Sequence, residues 1–200
     1  MRKLLSTILE TLFPERPDHK IVRTTSEDDL ASLLRVENTS DFVALLPFEE
    51  TLVRAVVHEA KFQRNDRAWR LLAAVLANYL KHCQKGTLVV PVPLSLKRRW
   101  KRGYNQVGEV VRRAAAKAPQ VTVAEHLLIR VRETAPQTSL TRVERLENVK
   151  EAFRLVGNLP SDVSEILIID DVATTGATLR AAKDAFRGTD VTVTCLSLAH

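Results

Sequence analysis

Residues 167–179 read Leu-Ile-Ile-Asp-Asp-Val-Ala-Thr-Thr-Gly-Ala-Thr-Leu, and no other stretch constrains the fold as tightly. The apolar run 166–169 is too short and too β-branched for a buried helix. It suits a strand covered on both faces of a parallel sheet. Asp170 and Asp171 stand at its carboxyl end, where open α/β sheets place their ligands. Alternation along a strand sends neighbouring side chains to opposite sides, so the two carboxylates are expected to do different jobs. Ala173, Thr174, Thr175, Gly176, Ala177 and Thr178 then offer backbone N–H groups, three hydroxyls and no bulky side chain where a helical pattern begins. That is the make-up of an anion site, with helix dipole and unsatisfied amides facing a phosphate. The alternative is an ordinary strand–turn–helix with an acidic N-cap.

Two acids would repel a bare anion. They are better suited to accept hydrogen bonds from sugar hydroxyls, or to hold Mg2+ through water. A phosphorylated ribose meets both demands at once. A Walker A loop does not account for the stretch, because no G-x-x-x-x-G-K-[ST] run occurs in the chain.

Length and composition set the frame. The chain has 200 residues, enough for one domain or a core domain with a small appendage, and its 45% hydrophobic content supports a buried core. No apolar stretch approaches the roughly 18 residues that span a bilayer. The start, Met1-Arg2-Lys3-Leu4-Leu5-Ser6-Thr7-Ile8-Leu9-Glu10, begins like a signal peptide, but Glu10 interrupts the apolar region. Leu4, Leu5, Ile8, Leu9 and Leu12 form one stripe of an amphipathic helix, expected to dock on the protein; a membrane-surface anchor is the alternative. Cys83 and Cys195 make no C-x-x-C pair, so neither a zinc site nor a disulfide framework is expected, and a reducing cytoplasm is the expected location. A net charge of +6 favours anionic partners, which covers a pyrophosphate-bearing substrate and nucleic acid alike.

Along the chain, residues 1–46 read as an N-terminal subdomain and 47–200 as the main body. In the first part a short strand is expected over 20–23. A helix follows, capped by Ser26 with Asp29 completing a capping box ahead of Leu30, Leu33 and Leu34. Helices are expected over 48–61, 67–82, 106–117 and 176–187, and buried strands over 87–90, 126–131, 153–156, 166–169 and 191–198. Strands alternating with helices predict an α/β, Rossmann-like, mostly parallel sheet flanked by helices.

The apolar strand, acid pair and threonine–glycine loop resemble the 5-phosphoribosyl-pyrophosphate (PRPP) motif of type I phosphoribosyltransferases. A second segment, Val92, Pro93, Leu94, Ser95 and Leu96, follows the strand at 87–90 and so opens at the same sheet edge. By the resemblance it is a pyrophosphate loop, with Lys97, Arg98 and Arg99 supplying charge. If a cis peptide is needed there, Val92–Pro93 is the least costly place for it. The bland reading is a proline-terminated strand followed by a solvated basic turn.

Val90-Pro91-Val92-Pro93-Leu94 together with Arg102-Gly103-Tyr104-Asn105-Gln106 resembles the signature of the ComF (ComF/GntX) family of phosphoribosyltransferase-like proteins. Lys61-Phe62 and the run from Arg132 through Gln137 to Arg145, Asn148 and Phe153 match in the same order. The resemblance implies a type I phosphoribosyltransferase-like fold. It also implies PRPP binding with Mg2+ held by Asp170 and Asp171, through water, as the catalytic acids. Arg132, Gln137 and Arg145 would belong to a mobile loop closing over PRPP; a short surface helix over 141–148 is the other reading of part of that stretch.

The chain departs from the family in two places. Many ComF-like proteins begin with a four-cysteine zinc module, and no cysteine precedes Cys83 here. The acceptor-covering hood of type I enzymes is expected from residues before about 47, as a hood or a replacement for the zinc module. The expected activity is transfer of phosphoribosyl from PRPP to an unidentified acceptor with release of pyrophosphate. The alternatives are a PRPP or nucleotide sensor and a single-stranded nucleic-acid module acting in DNA uptake, the latter resting on aromatics interleaved with the basic run 97–104. A homodimer is the expected assembly.

Overall fold

The computed structural model describes residues 15–132 and 151–200. In chain order its elements are α1 (Pro17–Thr24), α2 (Glu27–Ala31), β1 (Glu37–Asn38), β2 (Val43–Leu46), α3 (Thr51–Phe62), α4 (Asp66–Leu80), β3 (Thr87–Pro91) and α5 (Leu96–Arg102). Then come α6 (Gln106–Ala115), β4 (Val121–Val123), β5 (Leu128–Arg130), β6 (Phe153–Leu155), β7 (Glu165–Val172), α7 (Ala177–Asp184) and β8 (Thr192–Ala199).

β7 is the spine of the molecule. Ile166, Leu167, Ile168 and Ile169 are all buried because successive side chains enter two different cores. Leu167 and Ile169 join the cluster beneath α1–α4 and α6, while Ile166 and Ile168 join the cluster beneath α7 and the β5–β6 ribbon. β3 and β8 flank β7 in parallel, with Val89 opposite Leu167 and Cys195 opposite Ile168. The sheet order is β1-β2-β8-β7-β3-β4, parallel throughout except for β1. This is the mixed α/β architecture expected of the sequence, a mostly parallel sheet covered on both faces by helices.

Several local expectations change. Residues 20–23 are helical rather than extended: Pro17 stands in the first turn of α1, Val22 is buried, and Arg67 clamps the far end by donating to the Val22 and Thr25 carbonyls at 2.9 and 2.7 Å. The Ser26–Asp29 capping box is present, with Ser26 Oγ accepting the Asp29 N–H at 3.0 Å and Asp29 accepting the Ser26 N–H at 2.8 Å. The segments around 128 and 153 are strands, but they pair only with each other, as an antiparallel ribbon outside the main sheet. The three-residue strand β4 takes the sheet-edge place instead. The basic segment after the Pro-Val-Pro run is the helix α5, capped by Ser95 and ended by Gly103 in the left-handed conformation. β1 and β2, which precede residue 47, are strands of the main sheet, so the expected division at 46/47 runs through it. The expected amphipathic helix near the N-terminus lies outside the described residues.

Cys195 is buried and its thiol points at the Leu179 carbonyl, 3.5 Å away; burial pushes its pKa up to about 11. Cys83 is partly buried, and both cysteines are free thiols. Among the described residues no helix is long and apolar enough to cross a membrane.

Candidate functional site

The carboxyl ends of β3 and β7 open into a cleft of about 100 Å3. Both Asp170 and Asp171 line it, so strand alternation does not carry them to separate sites; their surroundings distinguish them instead. Asp171 is buried and fully engaged. Its Oδ2 receives Lys61 Nζ at 2.8 Å and Gln106 Nε2 at 2.7 Å, and its Oδ1 accepts the Val172 N–H at 2.8 Å. Burial alone would raise its pKa, but the Lys61 charge and these hydrogen bonds hold its carboxyl below the usual range.

Asp170 Oδ1 accepts the Asp171 N–H at 2.9 Å. Burial first, and the neighbouring Asp171 charge second, push its pKa up to about 7. A carboxylate in that position is short of positive charge. It also lies between two cavities, since Asp170, Val172 and Thr178 line both the cleft and a small pocket over the threonine loop.

That loop follows directly from the end of β7. Ala173 is pinned by its N–H, which donates to Ser197 Oγ at 2.8 Å, and by its carbonyl, which meets His200 Nδ1 at 2.8 Å. Gly176 then turns the chain at φ +68° into α7. An L-residue is strained in that conformation, and a Cβ there would come within 2.9 Å of the Phe42 ring. Thr174 is exposed and Thr178 half-buried; Thr175 accepts the Ala177 N–H at 3.4 Å. Small residues thus line a small pocket at the start of α7.

The opposite wall comes from the segment after β3. Val92, Pro93 and Leu94 line the cleft, and Asn105 Nδ2 ties the segment to α6 by donating to the Val92 carbonyl at 3.1 Å. No cis peptide occurs among the described residues, so Val92–Pro93 is trans. Of the basic residues expected here, Arg98 reaches the cleft. Ser95 is buried as the cap of α5, and Leu96 and Lys97 are exposed on it. Arg99 points into a neighbouring cavity. Arg132 is exposed beyond β5, while Gln137 and Arg145 lie outside the described residues.

Four polar or charged cleft residues had no role assigned from sequence: Lys61, Arg102, Gln106 and Arg130. Arg102 Nη1 donates to Gln106 Oε1 at 3.2 Å, and its guanidinium lies 5.0 Å from the Phe62 ring centre. Burial draws its pKa below the ordinary arginine value, against the pull of Asp171. Gln106 thereby links Arg102 to Asp171, which fixes its amide orientation. Tyr104 braces Lys61 by donating its hydroxyl to the Lys61 carbonyl at 3.0 Å. The signal for three of these was on view in the Lys61-Phe62 and Arg102–Gln106 motifs, but nothing in the sequence said what those residues touch.

Among the described residues no group of three His, Cys, Asp or Glu could hold a metal. Of the two cleft carboxylates, Asp171 is paired with Lys61, while Asp170 has no cation at ion-pair distance among the described residues. The donor set therefore fits a hydrated divalent cation that completes its shell on the ligand's own oxygens, and does not fit a cation caged by protein.

No protein-family model matches the chain. It is 34% identical over 130 residues to the DNA utilization protein YhgH of Salmonella typhi and 32% identical over 130 residues to that of Escherichia coli K12. Each alignment covers 62% of this chain and 56% of the relative. The competence protein F of Haemophilus influenzae is 32% identical over 139 residues, which cover 66% of this chain and 60% of that protein. The chain thus spans a little over half the length of the curated relatives it matches.

Proposed function

We propose that the chain is a ComF-like protein of type I phosphoribosyltransferase fold that binds PRPP in the Asp170 cleft and transfers its phosphoribosyl group to an acceptor, releasing pyrophosphate. One observation carries this reading: Asp170 stands between the small pocket over the threonine loop and a cleft walled by Lys61, Arg98 and Arg102. A ligand that fits must carry an anion at each end and hydroxyls between them. In PRPP the 5′-phosphate would meet the loop from Thr174 to Thr178. Asp170 would take the ribose hydroxyls, and the pyrophosphate would lie along Val92, Pro93 and Leu94 against the cations.

Mg2+, held by Asp170 through water, would neutralise charge on the departing pyrophosphate. Asp171 serves differently: by binding Lys61 and Gln106 it sets the cationic wall in place. The names of the relatives, 32–34% identical over part of the chain, support the ComF-like assignment. Calorimetry with PRPP and Mg2+ tests the reading. Saturable heat in the wild type, lost in Asp170→Asn, is expected; no heat with a folded sample overturns it.

A second reading, single-stranded nucleic-acid handling, is favoured by Trp100. It is 88% exposed on α5 between Arg99 and Lys101, where a base could stack. The relatives named for competence and DNA utilization point the same way. Oligonucleotide binding that weakens with salt and survives Asp170→Asn is the expected mark of it.

A further inference from the structure

A second cavity, of about 260 Å3, adjoins the cleft and shares Pro93 and Leu94 with it as a common wall. It lies beside the β4 edge of the sheet, where the α5–α6 junction meets residues 125 and 126. Three arginines line it, and they are not equivalent. Arg112 is engaged by both acids of the cavity, at 2.5 Å from Glu109 and 2.5 Å from Glu125, and Glu109 is further paired with Arg113 at 2.6 Å. Arg64 and Arg99 have no carboxylate within ion-pair distance among the described residues.

The base of Arg64 is held firmly. Its N–H donates to the Tyr104 hydroxyl at 3.2 Å, and its guanidinium stands 5.8 Å from the centre of the same ring. Arg99 approaches from α5, whose end at Gly103 also lines the cavity. His126, exposed, also lines the cavity. Two guanidinium groups thus line one hollow whose two acids are both paired with Arg112, and they bring donors and positive charge to it. A phosphate group matches both the donors and the charge.

We propose that this cavity is a second anion site, separate from the Asp170 cleft, that takes a phosphate group between Arg64 and Arg99. Its own residues carry the assignment, whatever fills the cleft. Because Pro93 and Leu94 form one side of each cavity, an anion bound here presses on the same segment that faces the cleft. The phosphate can come from a free small molecule or from a nucleic-acid backbone, and the chemistry at the two arginines is the same.

The test follows the Arg64 and Arg99 Nε–H resonances of the isotope-labelled full chain, assigned with Arg64→Lys and Arg99→Lys, with the Thr175 amide as a separate reporter of the threonine loop. Inorganic phosphate is expected to move both arginine signals saturably. Arg64→Ala or Arg99→Ala is expected to weaken that response by about tenfold or more, the loss of one charge-assisted hydrogen bond. A short single-stranded oligonucleotide forms the second arm. If it moves the same signals at a lower concentration of phosphate groups, the source is nucleic acid; an equal or weaker response assigns a small phosphate. Arginine signals that do not saturate, or shifts confined to Thr175, overturn the second site, and the latter outcome leaves the PRPP reading standing. Movement at the arginines with a silent Thr175 supports the second site and counts against the PRPP reading.

Discussion

Lys61 at the end of α3 and Asp171 at the end of β7 meet at 2.8 Å, and this pair joins a helix of one layer to the central strand of the sheet. Asp171 is nearly inaccessible, so its charge depends on Lys61 and Gln106 for compensation. Lys61→Met leaves that carboxylate buried with two neutral partners, Gln106 and the Val172 N–H. A loss of about 2–4 kcal/mol in equilibrium urea unfolding is expected, near the lower end for a broken buried pair because Lys61 keeps some solvent contact. Asp171→Asn removes the charge as well and is expected to cost less than Lys61→Met.

Asp170 makes stability depend on pH in the opposite sense to most carboxylates. Its pKa rises from 3.8 to about 7 on folding, so the native state holds the proton more tightly than the unfolded chain does. The stabilisation is complete below pH 3.8 and is lost as pH rises through about 7. Across that window, the advantage of wild type over Asp170→Asn is expected to shrink as pH increases, read from urea midpoints at matched ionic strength. For the same reason, binding of PRPP with Mg2+ below about pH 7 is expected to release a proton in the wild type and none in Asp170→Asn. Calorimetry in buffers of different ionisation enthalpy detects it.

Gly176→Ala meets two obstacles, a positive φ and the Phe42 ring 2.9 Å from the new Cβ. A cost of about 2 kcal/mol is expected from strain and overlap together. Adding Phe42→Ala relieves the overlap and leaves the strain, so the double variant is expected to be more stable than the sum of the single effects predicts. Additive losses would show that the ring yields freely.

Arg102 is the strongest test of the cationic wall. Arg102→Ala is expected to weaken pyrophosphate binding by about tenfold or more, a loss in the range of a charge-assisted hydrogen bond. Lys97→Ala, on the exposed side of α5, is expected to leave it unchanged. Equal effects from the two would mean that the ligand senses only the overall charge of the segment.

Trp100 is so exposed that Trp100→Ala is expected to change stability by less than about 0.5 kcal/mol. Oligonucleotide affinity is the discriminating measurement. Stacking on Trp100 predicts a loss of about 1–3 kcal/mol on its removal. An unchanged affinity assigns Trp100 no part in nucleic-acid contact.

What could be read from the sequence was what is local. The β7 run declared itself because all four residues from Ile166 to Ile169 are apolar, as burial on both faces demands. The turn after it declared itself through glycine and small residues. The Ser26–Asp29 box was visible because its two partners are three residues apart. Gln106 and Asp171, by contrast, are 65 residues apart, and only the folded chain brings them to 2.7 Å. The same holds for Lys61. β2 escaped notice because four residues make a weak signal, and β5 and β6 were recognised as strands while their partner could not be, since alternation reports burial and carries no address. Residues 97–99 were grouped by charge, but a helix turns about 100° per residue, which sends Arg98 and Arg99 to different cavities.

The sheet order has a practical consequence for anyone dissecting the chain. β8 is an interior strand, with β7 on one side and β2 on the other, and the outer strands are short: two residues in β1 and three in β4. A fragment that starts at residue 47 would strip away β2 and leave the eight-residue β8, with two Thr and two Leu, with an unpaired backbone edge. Such an edge is a template for joining another chain. β1 and β2 thus form a cover strip along that side of β8.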